Sequence, residues 1–336
     1  MPDERLLLAH GEGGRLMRRL IERHILPPLK NPWLEALGDA ALLESLSGRL
    51  AMTTDSFVVW PLFFPGGDIG SLAVNGTVND LAVSGARPLF LTLSLIAAEG
   101  LPLAVLDRVL ASVAAAARAA GVAVVAGDTK VVPHEACDGL FISTSGIGTL
   151  TEPLLPGPAA LQPGDALLVS GPVGRHGIAV LCAREQLELA PPPESDCAAL
   201  VEAASSLQQS AIGLRAMRDC TRGGLAAVMH EWARASGCTL LLEESALPVT
   251  PDVRAACELL GLEPWHVACE GVLAAAVPGE ACQQALQALR RCAVSSQAAC
   301  IGQVVARRSA PVVVRRALGN EQPLDEPWGS PLPRIC

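Results

Sequence analysis

The 336-residue chain exceeds one ordinary hydrophobic core and is expected to fold as two domains. Half of its residues are apolar and only 18% are charged, which excludes a disordered protein and fits a compact one. With 25 basic against 34 acidic residues and a formal charge of −9, it has no Lys/Arg run long enough to follow a nucleic-acid backbone, so DNA and RNA are not expected partners.

The N-terminal stretch MPDERLLLAHGEGG lacks the basic start and apolar run of a secretory signal. No segment approaches the ~18–20 apolar residues of a membrane span, and the Ala-rich stretch 114–120 is interrupted by Arg118. The eleven cysteines form no CxxC pair or zinc-finger spacing, so most are expected to be reduced and buried as small apolar residues. The reading is a cytoplasmic protein without membrane association.

In chain order, residues 15–26 have helical spacing, with Leu16, Leu20 and His24 on one face. Residues 49–60, rich in Thr and Val, are strand-like, and Gly66-Gly67-Asp68 turns the chain. A helix is predicted over 70–84, a strand over 89–97, a helix over 103–120 stopped by Gly121, and strands over 122–126 and 140–149. Pro153, Pro156, Pro158 and Pro163, with Gly157 and Gly164 among them, then mark a domain boundary that divides 1–155 from 156–318. The second half predicts a strand over 166–170, helices over 177–187, 198–217 and 224–236, and strands over 239–243, 272–277, 301–305 and 312–315. Helices over 252–260 and 281–292 lie between these. Mixed elements in both halves argue for two layered α/β (α+β) domains. Residues 319–336 have no period and are dense in Pro and Gly, so an extended, mobile tail is expected, reaching at most ~60 Å at ~3.3 Å per residue.

Three short stretches put an Asp at a turn or strand end: Asp55 in TTDS, Asp80 in VNDL and Asp128 in GDTK; Asp39 and Asp68 add two more. Carboxylates collected on loops are hard oxygen ligands suited to Mg²⁺ that bridges phosphates, although each taken singly reads first as a turn or helix-cap residue. Lys130, two residues after Asp128, can act as a point charge on a phosphate or as a solvated surface lysine. The glycines of HGEGG can lay N–H groups over a triphosphate or form a flexible leader. Neither a P-loop nor a Rossmann fingerprint occurs. RDCTRGGLA, 218–226, reads as a glycine turn entering a helix, with Thr221 available as its cap and the N-terminus open to an anion. Glu270, between Cys269 and Gly271 just before a strand, is a general-base candidate if desolvated. Cys336 is the final residue, on a tail too poor in apolar periodicity to bury it, and is not placed for prenylation.

MTTDSFVV, PLFFPGGDIG, GTVNDLAVSGA, AGDTKVV, MRDCTRGGLA, CEG and the terminal PRIC resemble, over essentially the whole chain, the HypE family of hydrogenase-maturation carbamoyl dehydratases. VNDLA and GDTK are also similar to the wider superfamily of aminoimidazole-ribotide synthetase, selenophosphate synthetase and thiamine-monophosphate kinase, whereas PRIC is specific to the HypE branch. The resemblance implies two domains of the aminoimidazole-ribotide synthetase (PurM-like) type, the N-terminal ones pairing into a homodimer with a β-barrel across the two-fold axis. Residues 1–155 would then be the ATP- and Mg²⁺-binding and dimerisation domain, 156–318 the C-terminal α/β domain, and 319–336 a flexible tail ending in a carrier cysteine.

The resemblance further implies that the terminal cysteine receives a carbamoyl group from the carbamoyltransferase HypF, and that ATP drives its dehydration to a thiocyanate. Cyanide then passes to iron held by a complex of HypC and HypD. Carried onto this sequence, Asp55, Asp80, Asp128 and Asp39 would hold Mg²⁺, Lys130 would sit on the phosphates, Glu270 would take the proton and Cys336 would carry the substrate. Gly13, Gly14, Thr129, Thr221 and Gly223 would join Asp55, Asp80, Asp128 and Lys130 around the nucleotide. The sequence departs from the family at Cys220, usually Pro, at Cys269, often Asn, and at Glu12 inside the glycine run; Asn75 stands at a variable position. Two alternatives are a small-molecule kinase or selenophosphate-type synthetase, which needs no terminal thiol, and a non-catalytic scaffold for metal-centre assembly. A selenophosphate synthetase would keep a reactive cysteine near its N-terminus, but the first here is Cys137.

Overall fold

A computed structural model of the chain describes residues 5–35, 37–38, 40–187, 189–328, 332 and 334–336. Asp39, one of the carboxylates singled out above, lies outside the described residues. The first half opens with helix α1 (Gly14–Leu20), which runs through a π-helical turn into α2 (Leu26–Leu29), followed by the short α3 (Pro32–Glu35). Then come β1 (Leu50–Phe57), a tight hairpin of β2 (Phe63–Phe64) and β3 (Gly67–Asp68), and α4 (Ile69–Val83). The half closes with β4 (Ala86–Ala98), α5 (Leu103–Ala120), β5 (Ala123–Val132) and β6 (Leu140–Leu150).

These strands form one open sheet in the order β1-β6-β4-β5, antiparallel except for β4 and β5, which α5 joins as a crossover. Gly121, at φ 70°, stops α5 where the sequence predicted. Helix α4 begins at Asp68, whose carboxylate accepts from the N–H groups of Gly70 (2.8 Å) and Ser71 (3.1 Å); Asp68 is therefore a helix cap. Thirteen of its fifteen residues are buried. A helix apolar on every side must be enclosed, and α4 is pressed between the sheet, α5 and the second domain.

The second half contains β7 (Asp165–Val169), α6 (Arg175–Glu185), α7 (Val201–Gln209), β8 (Ala216–Asp219), α8 (Gly224–Ser236), β9 (Thr239–Glu243), α9 (Pro251–Leu260), β10 (Leu273–Pro278) and α10 (Cys282–Arg290). It ends with β11 (Ala299–Val305), β12 (Val312–Arg315) and β13 (Glu321–Pro323). Its seven strands lie in the order β13-β12-β9-β11-β7-β10-β8. The helix expected over 198–217 is wrong in its second half. Ala211 and Gly213 turn the chain with positive φ, and Ala216–Asp219 pairs as an edge strand with β10, tertiary pairing overriding the helical preference of Ala and Met.

The chain end also differs from a free tail in this structure. Residues Glu321–Pro323 extend the second sheet through β12, with Arg315 bridging Glu243 (2.6 Å) and Glu321 (3.0 Å). Leu324, Leu332 and Ile335 are buried, the last two within the core shared by the first domain, α6 and α9. Among the described residues, no helix is long and apolar enough to cross a membrane.

The core of the first domain depends on residues such as Leu110 on α5, which is fully buried. Leu110→Ala is expected to lower stability by about 2–5 kcal/mol, read as a lower urea midpoint at unchanged slope.

Candidate active site

The candidate site lies where α4 meets the second domain. Asn79 on α4 is 1% exposed and pins the two domains together. Its Oδ1 accepts from the N–H of Leu200 at 2.7 Å, and its Nδ2 donates to the carbonyls of Ala198 (3.0 Å) and Glu270 (3.4 Å). The neighbouring turn of α4 reaches the other way, to β1. Thr53 Oγ1 donates to Asp80 Oδ2 at 2.8 Å, and Thr77 Oγ1 donates to Asp55 Oδ2 at 3.1 Å. Asp55 and Asp80 are thus neighbouring carboxylates at one edge of the sheet. Burial, and then Asp80, raises the Asp55 carboxyl above its usual range.

Across the cleft, β8 ends in Asp219, and a glycine turn leads into α8. The cap there is Gly223, at φ 79°, and not the hydroxyl of Thr221. Gly224, at φ 62°, passes so close to the chain at 265–267 that a Cβ would lie 2.6 Å from the carbonyl oxygen of Trp265. Asp219 is 6% exposed, and burial followed by the charges of Asp80 and Asp55 pushes its carboxyl up to about 7. Asp219 lies in the 218–226 glycine-turn motif, but the sequence assigns it no role there, since nothing local shows that its carboxylate is buried.

Glu270 stands on the loop before β10. Its carboxylate faces α4 where Gly76 leaves room: Oε2 is 4.0 Å from the position a Cβ on Gly76 would take. Burial raises the Glu270 carboxyl well above the usual range, with Asp219, Asp196 and Asp55 adding to it and Arg222 opposing. Asp196 braces the loop from behind, accepting from the N–H groups of Glu270 and Gly271, each at 3.3 Å. Beneath the loop lie Cys220 and Cys269, both fully buried, joined by the Cys269 N–H to Cys220 carbonyl bond of 2.9 Å.

The chain end enters this cleft. Val58 N–H donates to the Cys336 carbonyl (3.2 Å) and Trp60 N–H to that of Arg334 (3.4 Å), so the last residues lie beside the segment after β1. The half-buried Cys336 thiol is pushed up to about 12 by burial and by the charges of Glu270 and Asp55, against Arg222.

The remaining sequence candidates lie elsewhere. Following the register from Asp55 across Thr144 and Leu93 leads to Gly127, next to Asp128, three strand spacings or about 14 Å away on the opposite edge strand. There Asp128 and Lys130 are exposed and pair at 3.4 Å, while Thr129 is buried. Gly14, Asp128 and Thr129 line a cavity of about 610 Å³ between the N-terminal helices and β4 and β5, a size suited to a nucleotide-sized ligand. Gly13, just outside it, is the N-cap of α1. Among the described residues, no three His, Cys, Asp or Glu side chains converge enough to hold a metal ion by themselves. The pair Asp55–Asp80 nevertheless fits Mg²⁺, which is held by one or two carboxylates and completes its shell with water and phosphate oxygens.

Two family models cover most of the chain: the N-terminal domain of AIR synthase related proteins matches residues 37–150 and their C-terminal domain matches 162–315. The two layered domains with a cleft between them therefore define an AIR synthase related, PurM-like protein. Carbamoyl dehydratase HypE of Rhodobacter capsulatus is 47% identical over 337 residues, covering 99% of each chain. A solved structure of the hydrogenase maturation protein HypE in complex with ATP superposes with a TM-score of 0.94 at 45% identity, over 98% of this chain and 100% of that one. A HypE–HypF complex superposes with a TM-score of 0.80 at 41% identity, over 92% and 99% respectively. The chain belongs to the HypE family of carbamoyl dehydratases.

Crowding of carboxylates makes the cleft pH-sensitive. Asp219 binds its proton more tightly folded than unfolded, so its contribution to stability is full below about pH 4 and is lost as pH rises through about 7. In metal-free buffer, Asp219→Asn is expected to melt higher than the parent at pH 8, by up to about 4 kcal/mol, with the gap closing toward pH 4. Calorimetry across that range measures it.

Proposed function

We propose that the chain dehydrates a carbamoyl group carried as a thioester on Cys336 to a thiocyanate, using ATP, and so supplies cyanide for the iron of a [NiFe] hydrogenase. The observation that carries this reading is the docked chain end, which brings Cys336 into the same cleft as Glu270, Asp55 and Arg222. The family's carbamoyl dehydratase activity and the relative's ATP complex support the reaction class and the nucleotide. HypF is the proposed carbamoyl donor, in keeping with the relative's HypE–HypF complex, and HypC with HypD the acceptor.

The carbamoyl oxygen leaves badly as hydroxide, so it must first be phosphorylated. Its oxygen attacks the γ-phosphorus, ADP departs, and the nitrogen gives up one proton to leave an S–C(=NH)–O-phosphate. The C–O bond then breaks with its electron pair going to phosphate, and loss of the second N–H proton forms S–C≡N. In this reading Glu270 takes a proton from nitrogen, its raised carboxyl making it a stronger base than a free carboxylate. Mg²⁺ on Asp55 and Asp80, with Asp39 as a further ligand and Asp128 one only where a second protomer brings its β5 edge across, would neutralise the transferring phosphoryl group and offset the carboxylate charges facing Glu270. Lys130 and the glycine turns at Gly13–Gly14 and Thr221–Gly223 would hold phosphate oxygens, with Thr129 beside them. Tethering replaces a binding pocket for a small, unstable group.

The thiol of docked Cys336 is held neutral, and the nucleophile that accepts a carbamoyl group is the thiolate. Loading is therefore assigned to a released tail at the transferase, and dehydration to the docked one. A homodimer is supported by β1 and β5 being the edge strands of the sheet among the described residues and by Leu50, Met52 and Ile96, exposed on the sheet. Closing two such sheets into a barrel would let the Asp128–Lys130 edge of one protomer approach the Asp55–Asp80 edge of its partner. A small-molecule kinase would share the nucleotide half but gives the buried chain end no purpose.

Intact-mass analysis after incubation with HypF, carbamoyl phosphate and ATP is the test. The parent is expected to gain one carbamoyl group and then lose one water; Cys336→Ala should fold and bind ATP but gain nothing, and labelling of that variant at another residue would overturn the assignment. Glu270→Gln is expected to bind ATP and accept the carbamoyl group, with conversion slowed by 10²-fold or more, about the contribution of a positioned base; an unimpaired rate would remove Glu270 from the mechanism.

A further inference from the structure

His176, at the start of α6, is fully buried and lies outside the reaction chemistry assigned above. It sits between three parts of the molecule. Phe64 of the β2–β3 hairpin packs edge-on against its ring at 5.3 Å, Ser195 Oγ lies 2.8 Å from Nδ1, and the carbonyl of Ile335 lies 2.6 Å from Nε2. A carbonyl only accepts, so Nε2 carries the hydrogen and donates it to Ile335. The imidazole is neutral, because burial pulls it down to about 4, so Nδ1 accepts the Ser195 hydroxyl proton. Ser195 Oγ in turn accepts from the Cys197 N–H at 3.0 Å. The bonds run in one direction: Cys197 N–H to Ser195, Ser195 to His176, His176 to the penultimate carbonyl.

The other named contacts of the last three residues are the backbone bonds from Val58 and Trp60 and the surface contacts of Arg334. Arg334 pairs with Asp138 and accepts from Arg184 at the surface, both arginines being partly solvated. Exposed ion pairs hold a segment weakly. Of the hydrogen bonds named for residues 334–336, only that from His176 comes from a buried side chain; farther back, the buried His230 bonds the Leu324 carbonyl at 2.9 Å. Moreover, the tripeptide 195–197 that orients His176 is the one whose Asp196 holds the backbone of Glu270 and Gly271. One short segment thus fixes both the loop that bears the proposed base and the anchor of the residue preceding the thiol.

We propose that His176 is the positioning residue of the tail: by holding the Ile335 carbonyl it sets Cys336 in register with Glu270 and sets the balance between the docked and the released chain end. This rests on the reading of Cys336 as carrier. His176→Phe keeps the ring and removes the donor. His176→Gln keeps an N–H donor near the position of Nε2.

Two readouts distinguish the outcomes. The first needs no carrier chemistry: iodoacetamide labelling of Cys336, followed on the C-terminal peptide by mass spectrometry. It is expected to be roughly tenfold faster in His176→Phe than in the parent, the ratio that loss of one buried hydrogen bond supports, and to fall back in His176→Gln. The second is single-turnover conversion of carbamoylated protein with ATP, expected to slow roughly tenfold in His176→Phe, while carbamoyl loading by HypF stays equal or quickens. Folding and ATP binding of both variants are verified by their melting curves with and without nucleotide, and Ser195→Ala, which removes the orienting hydroxyl, should shift both readouts in the same direction if His176→Phe does not fold. Parental labelling and conversion rates in these variants would overturn the proposal, as would slowed conversion with unchanged labelling. If labelling responds as expected but Cys336→Ala still accepts the carbamoyl group, the anchor stands and the carrier assignment fails.

Discussion

The enclosed helix α4 is the part on which the rest of the molecule depends. It has no solvent face, so its polar residues must each find a partner, and they find them in opposite directions. Asn79 spends its amide on the backbone of the second domain, while Thr77 meets a carboxylate of β1 and Asp80 a hydroxyl of that strand. Removing the Asn79 amide would strand the Leu200 N–H in a dry interface. The same helix therefore fixes the distance between the two domains and the edge of the cleft where Asp55 and Asp80 stand.

Electrostatics gives that cleft its character. Asp55, Asp80, Asp219 and Glu270 crowd together, with Arg222 opposing the shifts of Asp55 and Glu270 and Arg218 that of Asp219, and burial compounds the repulsion. Such an arrangement is costly in an empty protein and is relieved by bound cations. The chain end adds a thiol that is itself unfavourable to ionise there. A sulfur that must be ionised to be loaded, and that is an uncharged thioester once loaded, is well served by two stations, and a tail whose contacts are partly surface ion pairs can travel between them.

Much of this was legible in the sequence, for reasons that can be named. Asp68, Gly121 and the β-branched run of β1 follow local rules of capping and periodicity, so their elements fall where predicted. The resemblance of VNDL, CEG and PRIC to one family singled out Asp80, Glu270 and Cys336, which the fold gathers into one cleft although 256 positions separate the first from the last. What escaped has no local signal. Asp219 stands on an edge strand that exists only because β10 lies beside it. His176 looks like any helix-start histidine until residue 335 arrives, 159 positions later. Residue type and the family resemblance group Asp128 with Asp55, whereas the sheet order sets them on opposite edges of one protomer.

The central claim is that the reacting group sits on the chain end inside the interdomain cleft. A crystal structure of the S-carbamoylated chain with Mg²⁺ and a non-hydrolysable ATP analogue addresses it most directly. The account predicts the carbamoyl nitrogen within hydrogen-bond reach of the Glu270 carboxylate and its oxygen facing the γ-phosphate. A nucleotide bound with the carbamoyl group held elsewhere, and the passage beside residues 58–60 closed to it, would contradict the account.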